Sequence, residues 1–207
     1  MLNRIVTVGE KGLEYEADQR HAEIAMRDVG VHEGSKGLST PGSASESRSV
    51  QGGHVGDGEE EFPEDSVDRA VAARGNYLGQ DRMDMQFAAK QISRFMSSPE
   101  PCDWRSTKRL ARYLKDHRRV IVDCKYQETP KEVVVRSDTD FAGCGRAKKS
   151  TSGGVVMFGG HCLKTYSQTQ ETIALSSGSQ SFSGLRRRPQ LAWAPGACWR
   201  TSECRRR

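Results

Sequence analysis

The side chains in this chain best suited to chemistry are two aspartates that close an apolar run. In Val133-Val134-Val135-Arg136-Ser137-Asp138-Thr139-Asp140 the β-branched residues predict a buried strand. A spacing of two puts both carboxylates on one strand face if the strand extends that far; otherwise Asp140 opens the turn. Carboxylates delivered to a strand end are hard oxygen ligands of the kind Mg²⁺ selects. One strand is only the beginning of such a site, because Mg²⁺ retains its water unless several oxygen ligands converge to fix its geometry.

A second pattern points to binding rather than catalysis. Arg105, Lys108, Arg109, Arg112 and Lys115 recur at intervals of three and four, which on a helix is one cationic stripe. Such a stripe can track a phosphate backbone, and Tyr113 would add a ring for stacking. A solvated helix surface produces the same pattern. His21 has no second ligand at metal spacing and reads as a polar residue in a first helical turn. The acidic run Asp57-Gly58-Glu59-Glu60-Glu61 reads as a solvated segment.

These residues need elements to position them. Residues 5–16 alternate around Gly9-Glu10-Lys11-Gly12 and predict a β-hairpin. Asp18 is placed to cap a short helix whose Ala22, Ala25, Met26 and Val29 share a face. Residues 33–66 are rich in Gly, Ser and Glu and read as a flexible linker. Three helices are expected between Ser66 and Lys115. The first carries Val67, Ala70, Val71, Tyr77 and Leu78 inward. The second is capped by Asp84, buries Met85, Ala88, Ala89, Ile92, Phe95 and Met96, and stops near Pro99. The third opens at Asp103 and buries Trp104, Thr107, Ala111 and Leu114. Three successive strands then form a meander: the Val133 run, Val155–Phe158, and Cys162–Tyr166 after a Gly159-Gly160 turn.

Composition bounds the answer. The chain has 207 residues, a net charge of +5 from 32 basic and 27 acidic side chains, 35% hydrophobic residues and 21 glycines. That is lean for one compact domain and predicts folded islands with unpacked segments between them. The charge balance favours a polyanionic partner weakly. Six cysteines stand at 102, 124, 144, 162, 198 and 204 with no Cys-x-x-Cys pair, which predicts reduced thiols rather than a zinc knuckle or disulfide framework. With no signal peptide and no apolar run of membrane length, an intracellular protein that is not secreted and has no membrane partner is expected.

Ser137-Asp138-Thr139-Asp140-Phe141-Ala142-Gly143, then Lys149-Ser150-Thr151-Ser152-Gly153-Gly154, then Ala174-Leu175-Ser176-Ser177-Gly178 resemble the ribonuclease H module of copia-type long-terminal-repeat retrotransposon Pol polyproteins. Tyr15-Glu16-Ala17-Asp18-Gln19-Arg20-His21-Ala22-Glu23 resembles the end of the reverse transcriptase region. Tyr77-Leu78-Gly79-Gln80-Asp81-Arg82, Asp84-Met85-Gln86-Phe87-Ala88 and Lys108–Lys115 resemble the segment that follows it. The resemblance covers most of 1–32 and 66–184. It implies an α+β fold: a partial ribonuclease H-like β-meander plus helix at 120–184, preceded by a helical connection at 66–119 and a hairpin with helix at 1–32. Outside the resemblance, composition makes 33–65 a disordered linker, and the loss of helical and strand periodicity makes 185–207 a disordered basic tail.

The resemblance also shows what is missing. The family carries a metal-binding Glu in its last segment, where this chain has Ser179, Gln180, Ser181 and Phe182. Only Asp138 matches a family ligand, so it is the one candidate catalytic and Mg²⁺-binding residue, and its site is incomplete. No Tyr-x-Asp-Asp occurs, and polymerisation is not expected. The resulting expectation is a truncated, degenerate Pol fragment without catalysis that binds RNA, DNA or RNA–DNA hybrid regardless of sequence, with Arg105, Lys108, Arg109, Arg112 and Lys115 as the contacts. No cofactor and no small-molecule substrate are expected, with Mg²⁺ needed only if ribonuclease H activity remains. The alternatives are a weak Mg²⁺-dependent ribonuclease H and a protein-binding remnant with no affinity for nucleic acid.

Overall fold

The computed structural model describes residues 4–42, 65–140, 149–171 and 173. It mixes helix and antiparallel sheet, an α+β chain, in the order β1 (Ile5–Val8), β2 (Gly12–Glu16), α1 (Gln19–Val29), α2 (Asp65–Leu78), α3 (Gln86–Ser93), α4 (Pro101–Asp116), β3 (Ile121–Lys125), β4 (Val133–Asp140), β5 (Thr151–Phe158) and β6 (His161–Thr169). Two three-stranded sheets have the strand orders β1-β2-β3 and β4-β5-β6. The chain divides into two compact units, one of residues 1–8 and 14–123, the other of 9–13 and 124–207. Among the described residues no helix is long and apolar enough to cross a membrane.

The first unit is a helical core. The hairpin predicted at 5–16 forms, closed by the Gly9 amide donating to the Gly12 carbonyl at 2.8 Å. Asp18 caps α1 by accepting from the Arg20 amide at 2.9 Å, and Gly30 ends it in the left-handed conformation, φ 78°, that glycine adopts without steric penalty. Ala22, Ala25 and Met26 face inward as the periodicity predicts. They join Val71, Ala72 and Leu78 of α2, Met85, Ala88 and Ile92 from the α3 region, and Leu110, Tyr113 and Leu114 of α4 in one cluster. Gly75, a weak helix former in mid-helix, allows the close approach: a Cβ there would lie 3.2 Å from Ile92 Cδ1 and 3.3 Å from Leu110 Cδ2.

Three expectations are corrected. Asp84 does not cap α3; the N-cap position is Met85. Phe95 is only half-buried and Met96 is exposed, because α3 ends at Ser93 and leaves both beyond the packed face. Helix α4 opens at Pro101 rather than Asp103. Proline suits a first helical turn, and the Asp103 carboxylate accepts from the Glu100 amide at 2.9 Å.

The Asp84 carboxylate has a different task. It accepts from Arg82 Nε at 2.9 Å, Arg82 Nη2 at 2.6 Å and the Tyr113 hydroxyl at 2.7 Å. Arg82 is 2% exposed, and its Nη1 also donates to the Arg118 carbonyl. Burial alone would raise the Asp84 pKa, but the hydrogen bonds from Arg82 and Tyr113 outweigh it and hold the carboxyl below its usual value.

The second unit contains the meander. Strands β4, β5 and β6 pair antiparallel in sequence order, with Asp138 opposite Gly153 and Asp140 opposite Thr151. Val135, Val156 and Tyr166 are buried. Gly154 makes room for the tyrosine, since a Cβ there would come within 2.5 Å of its hydroxyl. Gly159, φ 60°, turns β5 into β6. Of the predicted linker, residues 33–42 are placed against the first unit's helices: Thr40 accepts from Arg109, and Glu33 pairs with Arg118. The rest of the linker, the helix expected after Ser177 and the basic tail lie outside the described residues.

Removing the Asp84 carboxylate orphans a buried guanidinium, so Asp84→Ala should cost about 3 kcal/mol, against about 1 kcal/mol for Tyr113→Phe, which loses one hydrogen bond. Denaturant unfolding followed by far-ultraviolet circular dichroism measures both. The folded-state pKa of Asp84 is depressed, and so is that of Glu16, chiefly by its hydrogen bonds from Arg119. The stability they contribute is therefore complete above the unfolded carboxylate values near pH 4 and is lost as pH falls through the lower folded values. Asp84→Asn should flatten that acid limb.

Candidate nucleic-acid interface

Helix α4 separates its faces cleanly. Asp103, Trp104, Thr107, Leu110, Ala111, Tyr113 and Leu114 are buried, Thr107 donating to the carboxylate of Asp68 at 2.8 Å. The five predicted cations fall on the opposite side, as the spacing requires. Their availability differs. Arg105 and Arg112 are exposed, and no hydrogen bond or ion pair holds either among the described residues. They stand seven positions apart, about 10 Å along the helix axis.

The other three are half-buried and engaged. The Lys108 ammonium lies 5.7 Å from the Trp104 ring centroid. Arg109 Nη2 donates to Thr40 Oγ1 at 2.8 Å. Lys115 Nζ lies 3.3 Å from Asp116 Oδ1. Beyond the helix, Arg119 binds both oxygens of Glu16 at 2.8 Å and Arg118 pairs with Glu33, so these cations already carry acidic partners.

Tyr113 is not the stacking ring that the sequence suggests. It is 5% exposed, its ring stacks on His117 with centroids 4.3 Å apart, and burial together with the hydrogen bond to Asp84 pushes its pKa up to about 12. Trp104 is equally buried. His21 lies 3.8 Å from the Asp18 carboxylate, with its ring against Tyr77. The residues that sequence reasoning missed are Arg82 and Thr40. The Asp84–Arg82 pair is only two residues apart and carried a visible charge signal; Thr40, 69 residues from Arg109, carried none.

In the second unit, β4 extends to Asp140, so Asp138, Asp140 and Arg136 line one exposed strand face. Asp138 Oδ1 accepts from the Thr139 amide at 2.8 Å. Its cross-strand neighbour is a glycine, which offers no ligand. Among the described residues no group of three or more His, Cys, Asp or Glu side chains is placed to hold a metal. Ser179 and Ser181 lie outside the described residues.

Comparison with known proteins finds relatives by sequence. No protein-family model matches the chain, and no solved structure matches it. Over 125 residues, 60% of this chain and 84% of the relative, it is 34% identical to a protein of Plasmopara viticola named secreted RxLR effector protein 161. It is 26% identical over 126 residues to the uncharacterized mitochondrial protein AtMg00810 of Arabidopsis thaliana, 60% of this chain and 51% of that protein. Over 121 residues, 58% of this chain, it is 27% identical to the retrovirus-related Pol polyprotein from transposon RE2 of Arabidopsis thaliana, of which it spans only 8%.

Reversing both outward charges, Arg105→Glu with Arg112→Glu, should lower affinity for an arbitrary 20-mer by about an order of magnitude or more. Fluorescence anisotropy of a labelled oligonucleotide reads this, and circular dichroism should show the helical fold intact. Unchanged affinity would remove this face from the interface.

Proposed function

The chain belongs to the family of the Plasmopara viticola protein named secreted RxLR effector protein 161 and has a retrotransposon Pol-like origin; from that premise we propose that it is a degenerate copia-type Pol fragment that binds nucleic acid without cleaving it. On this reading the first unit derives from the end of the reverse transcriptase region and its helical connection, and the β4–β6 meander is the start of a ribonuclease H-like sheet. The observation that carries the binding half is the exposed pair Arg105 and Arg112 on the outward face of α4.

Two guanidinium groups on a helix surface contact phosphates, not base edges. The binding should therefore be indifferent to sequence and to the ribose 2′-hydroxyl. RNA and DNA of unrelated sequence and equal strandedness should bind alike.

The catalytic half fails for want of charge. A strand-end aspartate can offer at most two oxygens to a divalent ion, and Asp140 adds a second carboxylate on the same face. Mg²⁺ binds few protein oxygens but demands near-octahedral geometry around them, and a pair of ions needs further acidic ligands from other elements. The family's glutamate position is occupied here by Ser181. Asp138 and Asp140 would hold the ion if one bound, and its chemistry would be activation of water for phosphodiester hydrolysis.

Cleavage of a labelled RNA–DNA hybrid in Mg²⁺ or Mn²⁺ should be undetectable for the wild type, for Asp138→Asn and for Ser181→Glu. Metal-dependent cleavage by the wild type that disappears in Asp138→Asn would contradict the proposal and establish a working site.

A further inference from the structure

We infer that the outer faces of α3 and α4 form one track for single-stranded nucleic acid, in which Phe87 stacks a base; this rests on the binding reading above. The first observation concerns α4 itself, which offers phosphate contacts but no ring. Tyr113 and Trp104, its two aromatic side chains, are both 5% exposed. A helix that contacts phosphates alone has no means of preferring a single strand, because nothing in it senses an unstacked base.

The second observation is that an aromatic ring lies beside it. Phe87 is 39% exposed. It stands in the first turn of α3, opposite the inward Ala88, Ala89 and Ile92. Residues 87, 90 and 94 recur at the three- and four-residue spacing that places side chains on one helix face. Lys90 Nζ is 4.6 Å from the Phe87 centroid, and the Arg94 guanidinium is 5.2 Å from the ring of Phe95. Exposed phenylalanine flanked by cations is the combination that single-strand binders use, the ring taking the base and the cations taking the phosphates on either side.

The third observation makes the two helix faces continuous. Thr40 accepts from Arg109 of α4. Two residues later, a Cβ on Gly42 would lie 3.4 Å from Ala88 Cβ and 4.0 Å from Phe87 Cδ1 of α3. Two residues of chain span at most about 7 Å. Phe87 is therefore a short step across the Thr40–Gly42 segment from the cationic side of α4. All of these residues belong to the first unit. A base on Phe87 would leave its phosphates facing Lys90 on one side and the α4 arginines on the other. In a duplex the bases are already stacked, and Phe87 would contribute nothing.

The experiment uses the full chain with labelled oligo-dT and with a duplex of the same length, read by fluorescence anisotropy. The wild type should bind the single strand more tightly than the duplex. Phe87→Ala should weaken single-strand binding about 5- to 150-fold, the range for alanine replacement of a stacking aromatic, and leave duplex affinity unchanged. Phe87→Trp keeps a stacking surface and should retain the preference. Equal wild-type affinities for the two forms, or an alanine variant that loses both equally or neither, would overturn the inference. The parent reading fails separately: Arg105→Glu with Arg112→Glu would then leave affinity for both nucleic acids unchanged.

Discussion

The ion pair between Arg82 and Asp84 is the constraint on which the helical unit depends. A guanidinium with 2% of its surface in water is tolerable only when a carboxylate answers it. Asp84 does so with both oxygens and still accepts from the Tyr113 hydroxyl, 29 residues away. The connection between α2 and α3 is thereby fixed to α4. That contact agrees with the rotation of α4 that its apolar face dictates, with Leu110, Tyr113 and Leu114 inward and Arg105 and Arg112 outward. It also withdraws Tyr113 from the cationic face.

Much of this was legible in the sequence, and the failures share a cause. Periodicity identifies which residues share a face, so the inward sets of α1 and α4, the hairpin and the three-stranded meander follow from local pattern. Periodicity does not identify which distant group a polar side chain will meet. Asp84 has the sequence signature of a helix cap, yet its carboxylate is better employed on Arg82 and Tyr113. Tyr113 lies at the boundary between the faces of α4, where one hydrogen bond decides the side. Gly75 reads as a weakness in α2 until Ile92 and Leu110 are seen pressed against it.

The candidate site shows the same division. All five cations of α4 fall on one face, as their spacing requires. Only Arg105 and Arg112 point outward without a partner among the described residues, because Trp104, Thr40 and Asp116 engage the others. Trp104 and Asp116 are local and could be anticipated; Thr40 could not. The two aspartates of β4 share a face because the strand runs to Asp140. Under the proposed function, catalysis and binding part company for a physical reason. A pair of metal ions requires acidic side chains from several elements to converge within a few ångströms, and the loss of one defeats it. Attraction of a polyanion needs only cations on an accessible surface and survives extensive sequence drift.

The central claim is that α4 meets nucleic acid through phosphate contacts, and the salt dependence of affinity tests it most directly. With each neutralised phosphate contributing about −0.7 to −0.9 to the slope of log affinity against log salt, the wild type should show a slope of roughly −1.5 or steeper. Replacing Arg105 or Arg112 singly with alanine should make it shallower by about 1 each. A slope near zero, or one that neither replacement changes, would contradict the account.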